Sequence, residues 1–186
     1  MPIPDRLKLK PVNKTRLKQM SELCDQIERE LEAGEPAEDL LNQWHAHAGR
    51  RCEPYEFRTY WKSISKETFV AEALNPPPSL DQDATYAEAL AVLEAVSAAA
   101  LPEAETGYYL GWLEAQFPDA NMNDLIFWPD EWFDDASLIR DAGGRFKPEA
   151  DLSNDQILAY AMARSGRTLP GAPADVVLPF PLPGQK

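Results

Sequence analysis

Apolar side chains recur at steps of three and four residues along most of the chain, which is the period of an amphipathic helix. The first such run consists of Leu17, Met20, Cys24, Ile27 and Leu31. Asn13 before it and Gly34 after it are typical of a helix N-cap and a helix end, so we predict a helix over about 13–33. Three more helices are predicted to begin at Pro36, Pro54 and Ser65.

The run Asn75-Pro76-Pro77-Pro78 ends this first group of helices. Three consecutive prolines cannot continue a helix and favour an extended chain. We therefore predict a stiff connector over 75–83, which separates a helical half over 1–74 from a second helical half over 84–168.

The second half carries its own helix signals. Thr85 with Glu88, and Ser153 with Gln156, each match the capping box that opens a helix. Pro102 is predicted to begin a helix between them, and Asn121 is predicted to cap a short helical segment that follows. We interpret 134–152 as a long surface loop and 169–186 as an extended proline-rich tail. The predicted fold class is all-α, an irregular bundle of about seven helices with few or no strands, and the two halves are also compatible with a single domain.

Charge separates the two halves more sharply than hydropathy does. The chain has 186 residues and a net charge of −13, from 18 basic and 31 acidic side chains. Residues 1–66 hold 12 basic and 11 acidic side chains, whereas 67–139 hold 15 carboxylates and no Lys or Arg. A surface of this kind repels nucleic acid and anionic membranes and attracts a basic protein.

The motifs of the common enzyme classes are absent from the sequence. It contains no glycine-rich phosphate loop, no Gly-x-Ser-x-Gly and no His-Glu-x-x-His. His45, His47 and Cys52 are near one another, but two residues apart on a helix point in different directions, so we expect no metal and no cofactor. Cys52 follows two arginines that favour a lowered thiol pKa, but no partner motif accompanies it. No apolar run is long enough to cross a membrane, and the chain start lacks a secretory pattern, so we expect a cytoplasmic protein.

The most unusual segment is 127–135, in which four aromatic side chains alternate with four carboxylates. Its aromatic side chains either fill the core between helices or anchor a partner, and the two roles are compatible if the segment has two faces. We predict that a partner contacts the segment and the acid before it, at Asp124, Asp130, Glu131, Trp132, Asp134 and Asp135.

These features favour a soluble, acidic, non-enzymatic binding protein that neutralises a basic partner. In charge sign, size and helical content the chain is similar to the acidic immunity proteins of nuclease bacteriocins. That similarity implies a bacterial immunity or antitoxin-like inhibitor of a nucleic-acid-directed toxin, and no motif carries over residue roles. A mimic of nucleic acid is a close variant of this hypothesis. The alternatives from other classes are an enzyme that uses the carboxylates of 127–135, with or without a divalent metal, and an adaptor in a larger assembly.

Overall fold

A computed structural model describes residues 1–184, and the last two residues of the predicted tail lie outside the described residues. The predicted all-α class is confirmed, because the described chain is 56% helical with no strand. Six of its ten α-helices have seven or more residues. The helices are α1 (Lys14–Glu32), α2 (Glu38–His47), α3 (Pro54–Phe57), α4 (Lys66–Leu74), α5 (Tyr86–Ser97), α6 (Glu103–Gln116), α7 (Met122–Phe127), α8 (Pro129–Trp132), α9 (Ala136–Ile139) and α10 (Asn154–Ser165).

The helix ends follow the local capping signals. The Asn13 side chain accepts from the Thr15 N–H and opens α1, and the Ser65 side chain accepts from the Thr68 N–H at the start of α4. Both predicted capping boxes are formed, at the starts of α5 and α10. Such caps need only residues within one turn of each other, which is why the sequence predicts them.

Three local interpretations of the sequence differ from the structure. Pro36 lies outside α2, which begins at Glu38 after a left-handed Ala37 with φ 52°. The segment that begins at Pro54 stops after one turn and resumes as a 3₁₀ turn, Tyr60–Lys62, because Thr59 leaves helical geometry at φ −134°. The predicted surface loop 134–152 contains helix α9, a single antiparallel bridge between Arg140 and Phe146, and a 3₁₀ turn, Pro148–Ala150.

The chain forms two compact units. The small unit consists of 8–77 and 102–108, and the large unit consists of 1–7, 78–101 and 109 onward. In the small unit, the apolar face of α1 packs on α2 and α4 around Trp44, whose ring lies 5.0 Å from Phe57 and 5.8 Å from Phe69. Both cysteines are fully buried in this core.

The large unit is organised around a fully buried polar side chain, Gln116 at the end of α6. Its amide NH₂ donates to the Ser79 and Trp112 carbonyls, and its amide oxygen accepts from the Asp81 N–H and from Arg167 Nη1 at 2.9 Å each. A buried amide costs stability unless its partners are present, and here donor and acceptor are both satisfied. Gln116 therefore fixes the chain after the proline run against the apolar core of the unit.

Candidate protein-binding surface

The aromatic and acidic segment 127–135 forms the end of α7, the whole of α8 and the turn before α9. The Asn121 side chain caps α7, and Trp128 leaves helical geometry at φ −136° between the two helices. Pro129 is the first residue of α8, where its missing N–H costs no hydrogen bond. Asp134 ends the segment in a left-handed conformation with φ 50°. The resulting two bends give the segment an inner face and an outer face.

The inner face is aromatic and buried. Trp132 and Phe133 are 8% and 4% exposed, and both rings pack against the ring of Tyr160 in α10, at 5.5 and 5.0 Å between centroids. The Trp132 indole N–H donates to the Ala120 carbonyl at 2.5 Å. Trp132, which the sequence places among the partner contacts, therefore supports the segment from inside the large unit.

The outer face combines exposed aromatic rings with carboxylates. Trp128 is 55% exposed and Phe127 is 43% exposed. Glu131 and Asp134 are exposed and have no ion pair or side-chain hydrogen bond within residues 1–184. We call Phe127, Trp128, Glu131 and Asp134 the outer surface of the segment. The sequence did not single out Trp128 as the exposed tryptophan, because the distinction depends on which side of the bend meets α10.

Two other predicted contact residues take part in local hydrogen bonds. The Asp124 carboxylate accepts from the side-chain amides of Asn121 and Asn123. The Asp135 carboxylate caps α9 by accepting from the Ser137 N–H at 3.0 Å and from its hydroxyl at 2.6 Å. Their role in partner binding stays a prediction, and each has a structural role of its own.

Asp130 is bound within the large unit. Its Oδ2 accepts from Nε and Nη2 of Arg140 at 2.9 and 2.8 Å, and this guanidinium keeps the pKa of the carboxyl below its ordinary value. The same guanidinium lies 3.9 Å from the centre of the exposed Phe146 ring. A planar guanidinium can bind a carboxylate in its plane and an aromatic ring on its face at once. Asp130 and Arg140 thus hold the bridge between 140 and 146 next to α8.

An open groove of about 350 Å³ lies beside the segment. Ile126, Pro129 and Phe146 contribute apolar wall, and Lys147 and Asp151 contribute charge. At about 350 Å³ the groove is at the small end of the range of small-molecule pockets, and it is open to solvent.

The charge of the large unit is strongly negative. Its residues carry 17 acidic and 7 basic side chains, which is a net charge of −10, whereas the small unit carries 14 and 11, which is −3. A concentrated field of this sign accelerates encounter with a basic protein and opposes encounter with acidic ones.

The small unit contains an open polar groove between α1 and α2, of about 820 Å³. Amide side chains of Gln19, Gln26 and Gln43 line it together with Arg16 and His47. The Arg16 guanidinium donates to the His47 carbonyl and ties the two helices together across one end. The sequence did not reveal this groove, because its walls are the polar faces of two amphipathic helices.

The other candidates for chemistry, two cysteines and a histidine, lie in the small unit. Burial raises the pKa of the Cys24 thiol to about 12 and raises that of Cys52 above its ordinary value despite the nearby Arg50. The expectation of a lowered Cys52 pKa is therefore wrong, since desolvation outweighs the neighbouring charge. His45 Nε2 lies 2.9 Å from the Cys52 carbonyl oxygen and 3.2 Å from the Cys52 backbone nitrogen. Within residues 1–184 no group of three His, Cys, Asp or Glu could hold a metal ion, and no helix is long and apolar enough to span a membrane.

Comparisons with protein-family profiles, curated proteins and solved structures give no match to this chain.

Proposed function

We propose that the protein is a non-enzymatic binding protein that neutralises a basic partner through the outer surface of 127–135. The observation that carries this proposal is the exposure of Trp128 and Phe127 next to Glu131 and Asp134, which lack any partner within the described chain. A few residues supply most of the binding energy of a protein interface, and tryptophan is enriched among them. Flanking charges select the partner and speed association.

The buried half of the segment supports this role. A binding surface loses affinity when it must be ordered on binding. Trp132 and Phe133 hold the segment against α10, and the Asp130 pair with Arg140 holds the following turn, so the outer surface is ordered before a partner arrives.

The concrete form of the proposal is a cytoplasmic immunity or antitoxin-like protein of bacteria. Its partner would be a toxin that acts on nucleic acid, because such a toxin needs a basic surface to bind its substrate. An acidic protein of net charge −13 suits that surface, and by covering it would compete with the substrate.

The experiment is co-expression with the products of neighbouring genes that arrest bacterial growth. We expect the wild-type chain to restore growth and a triple variant, Trp128→Ala with Glu131→Gln and Asp134→Asn, to fail while keeping its melting temperature. The matched control is Asp83→Asn with Asp175→Asn, which removes two exposed carboxylates of the large unit outside the segment and should still restore growth. Equal protection by the triple variant and wild type would refute the proposed surface. Unchanged affinity of the triple variant for the toxin, measured by calorimetry, would mean that another face binds it.

The placement of the carboxylates does not favour the enzyme alternative. An acid–base or metal site draws carboxylates together into a cavity. Here Glu131 and Asp134 are exposed, and Asp130 is paired with Arg140.

A further inference from the structure

Segment 50–66 of the small unit, which contains α3 and the 3₁₀ turn Tyr60–Lys62, leaves two large aromatic rings in water. Tyr55 is 71% exposed and Trp61 is 65% exposed, which is more than the 55% of Trp128 on the outer surface of 127–135. Single exposed rings are common on any protein, whereas two within seven residues are typical of an interaction site.

The segment is held in place from its inner side. The Phe57 ring is 1% exposed, and the Tyr60 ring stacks on Phe69 with 4.5 Å between centroids. Arg58 Nη2 donates to the Leu31 carbonyl at 3.1 Å and so satisfies one of the last carbonyls of α1. The exposed rings are therefore carried by an ordered backbone, which lowers the entropic cost of binding.

The charges of the segment are mostly basic and partly unpaired. It holds five basic and two acidic side chains. Both carboxylates form ion pairs with neighbouring arginines, and Lys66 pairs with carboxylates of α1. Within the described chain Arg58 and Lys62 form no ion pair, and the Lys62 ammonium lies 5.7 Å from the centre of the Trp61 ring. We call the following four residues the basic surface: Tyr55, Arg58, Trp61 and Lys62.

The polar group of Trp61 is already satisfied inside the segment. Its indole N–H donates to the Arg58 carbonyl at 2.9 Å. The part of the side chain that remains in water is therefore apolar. Such a ring gains most from packing on another aromatic ring or on an apolar side chain.

The outer surface of 127–135 is the chemical counterpart of the basic surface. It has two exposed aromatic rings and two unpaired carboxylates, whereas the basic surface has two exposed rings and two unpaired cations. Aromatic rings pack on one another in offset or edge-on arrangements, and guanidinium and ammonium groups bind carboxylates. Every copy of the chain carries both surfaces, so a second copy supplies the counterpart.

Electrostatics favours this occupant over nucleic acid. A nucleic acid presents closely spaced phosphates and is bound by several cations at once, and two unpaired cations on a unit of net charge −3 are too few. Two copies of net charge −13 also repel each other at long range. At physiological salt, however, exposed charges more than about 8 Å apart are largely screened, so the local signs of the two surfaces decide the contact.

We propose that the basic surface of one copy binds the outer surface of a second copy. This inference rests on the proposed function in using the same outer surface, from which a basic toxin would displace the second copy. Because the two surfaces differ, the contact is heterologous. Association therefore runs on from copy to copy, or closes when every surface is used.

The test is sedimentation velocity of the full chain at about 150 mM NaCl, where long-range repulsion is screened. We expect the weight-average mass of the wild type to rise with protein concentration up to about 1 mM, because contacts of small area are weak. The chain itself is the probe.

Two variants each remove one surface. Trp61→Ala with Lys62→Glu removes the basic surface, and Trp128→Ala with Glu131→Gln and Asp134→Asn removes the outer one. Each variant alone should self-associate at least about tenfold more weakly than the wild type, since truncated anchor residues cost that much. An equimolar mixture of the two should form a 1:1 complex and stop there, because only one complementary pair of surfaces is intact.

The matched control is Lys14→Glu, which makes the same charge change as Lys62→Glu at another exposed lysine of the small unit. It should associate as the wild type does. Lys62→Glu alone replaces the double variant if Trp61→Ala lowers the helical circular dichroism, because the Lys62 side chain makes no hydrogen bond or ion pair in the described chain. It should weaken association more than Lys14→Glu does.

Three results would overturn the proposal. One is a wild-type chain that stays monomeric over the whole concentration range. A second is self-association of either surface variant, or loss of it in Lys14→Glu, to the same extent as in the comparison chain. The third is a mixture without a 1:1 complex although the wild type associates, because the contact would then not join the two surfaces.

Failure of this inference and failure of the proposed function give different results. A monomeric wild-type chain removes the contact between copies and leaves the growth experiment unaffected. Equal protection of growth by the variant without the outer surface refutes toxin binding there, and a 1:1 complex in the mixture would still establish the contact between copies.

Discussion

At the scale of single residues, two tryptophans four positions apart have opposite environments. Trp132 is buried, donates its indole N–H to Ala120 and contacts two aromatic rings, whereas Trp128 is 55% exposed. We expect Trp132→Ala to lower the free energy of unfolding by about 3–5 kcal/mol and Trp128→Ala to change it by less than about 0.5–1 kcal/mol. Urea denaturation of the two variants measures the difference, and equal destabilisation would contradict the two-faced description of 127–135.

Gly49 lies where the backbone at Ala73 and Asn75 approaches too closely to leave room for a side chain. Its N–H donates to the Ala73 carbonyl at 2.7 Å, and a Cβ added there would lie 1.8 Å from the Asn75 carbonyl oxygen. We expect Gly49→Ala to destabilise the small unit by at least about 1–3 kcal/mol, because backbone must move to relieve the clash. Gly34→Ala is the control, since that site has open space but φ +84°, and should cost about 1–2 kcal/mol. If thermal unfolding shows a larger loss of stability for Gly34→Ala than for Gly49→Ala, the backbone at Asn75 can move away from the added Cβ at little cost.

At the scale of elements, the N-terminal 3₁₀ turn Asp5–Leu7 is attached to α5 by charge. Arg6 binds Glu88 through two nitrogens and Asp81 through a third, and this contact is the largest cause that lowers the pKa of Glu88 to about 2. A carboxyl with a lower pKa when folded stabilises the protein above its unfolded pKa of about 4.5, and the contribution is lost as the pH falls towards 2.

The pH dependence of stability therefore distinguishes wild type from Glu88→Gln. At pH 7 we expect the variant to be less stable by about 1–2 kcal/mol, a reduced value because Arg6 is nearly half exposed and solvent screens the pair. Between pH 5 and pH 2 the wild type should lose this advantage and the two urea midpoints should converge. Glu149→Gln, at an exposed carboxylate without an ion pair in the described chain, is the control and should run parallel to wild type. A constant difference across this range would contradict the ionic origin of the attachment.

At the scale of the whole molecule, net charge sets the response to salt. With −13 overall and −10 in the large unit, like charges repel in the folded state more than in the extended unfolded chain. We expect the melting temperature to rise by several degrees between 10 and 200 mM NaCl, because the screening length falls from about 30 Å to less than 10 Å. A melting temperature that falls over this range would mean that ion pairs such as those of Arg6 and Arg140 outweigh the repulsion. The charge-reduced variant Asp83→Asn with Asp175→Asn should show a smaller rise than wild type.

Helix positions follow from the sequence because their causes are local. The step of three and four residues in α1, and the capping boxes at Thr85 and Ser153, involve residues within one or two turns of each other. The all-α class and the extended tail follow from such local signals together with the position of proline. Short elements do not follow in this way: α9 lies inside a predicted loop, and the helix predicted to begin at Pro54 is only one turn long. One turn of helix has too few residues to show a period.

Which face of each element is covered depends on contacts between distant parts of the chain. The sequence determined that 127–135 combines aromatic and acidic side chains, but only the packing of Trp132 on Tyr160 decided that Trp128 is the exposed ring. Asp130 is held within the large unit because Arg140 lies across from it, and the proline-rich end of the chain is held on α10 because Tyr160 meets Phe180 twenty residues away. Composition and periodicity carry no information on such pairings, because the free energy that selects them comes from burial and hydrogen bonds that form only when distant parts of the large unit fold together.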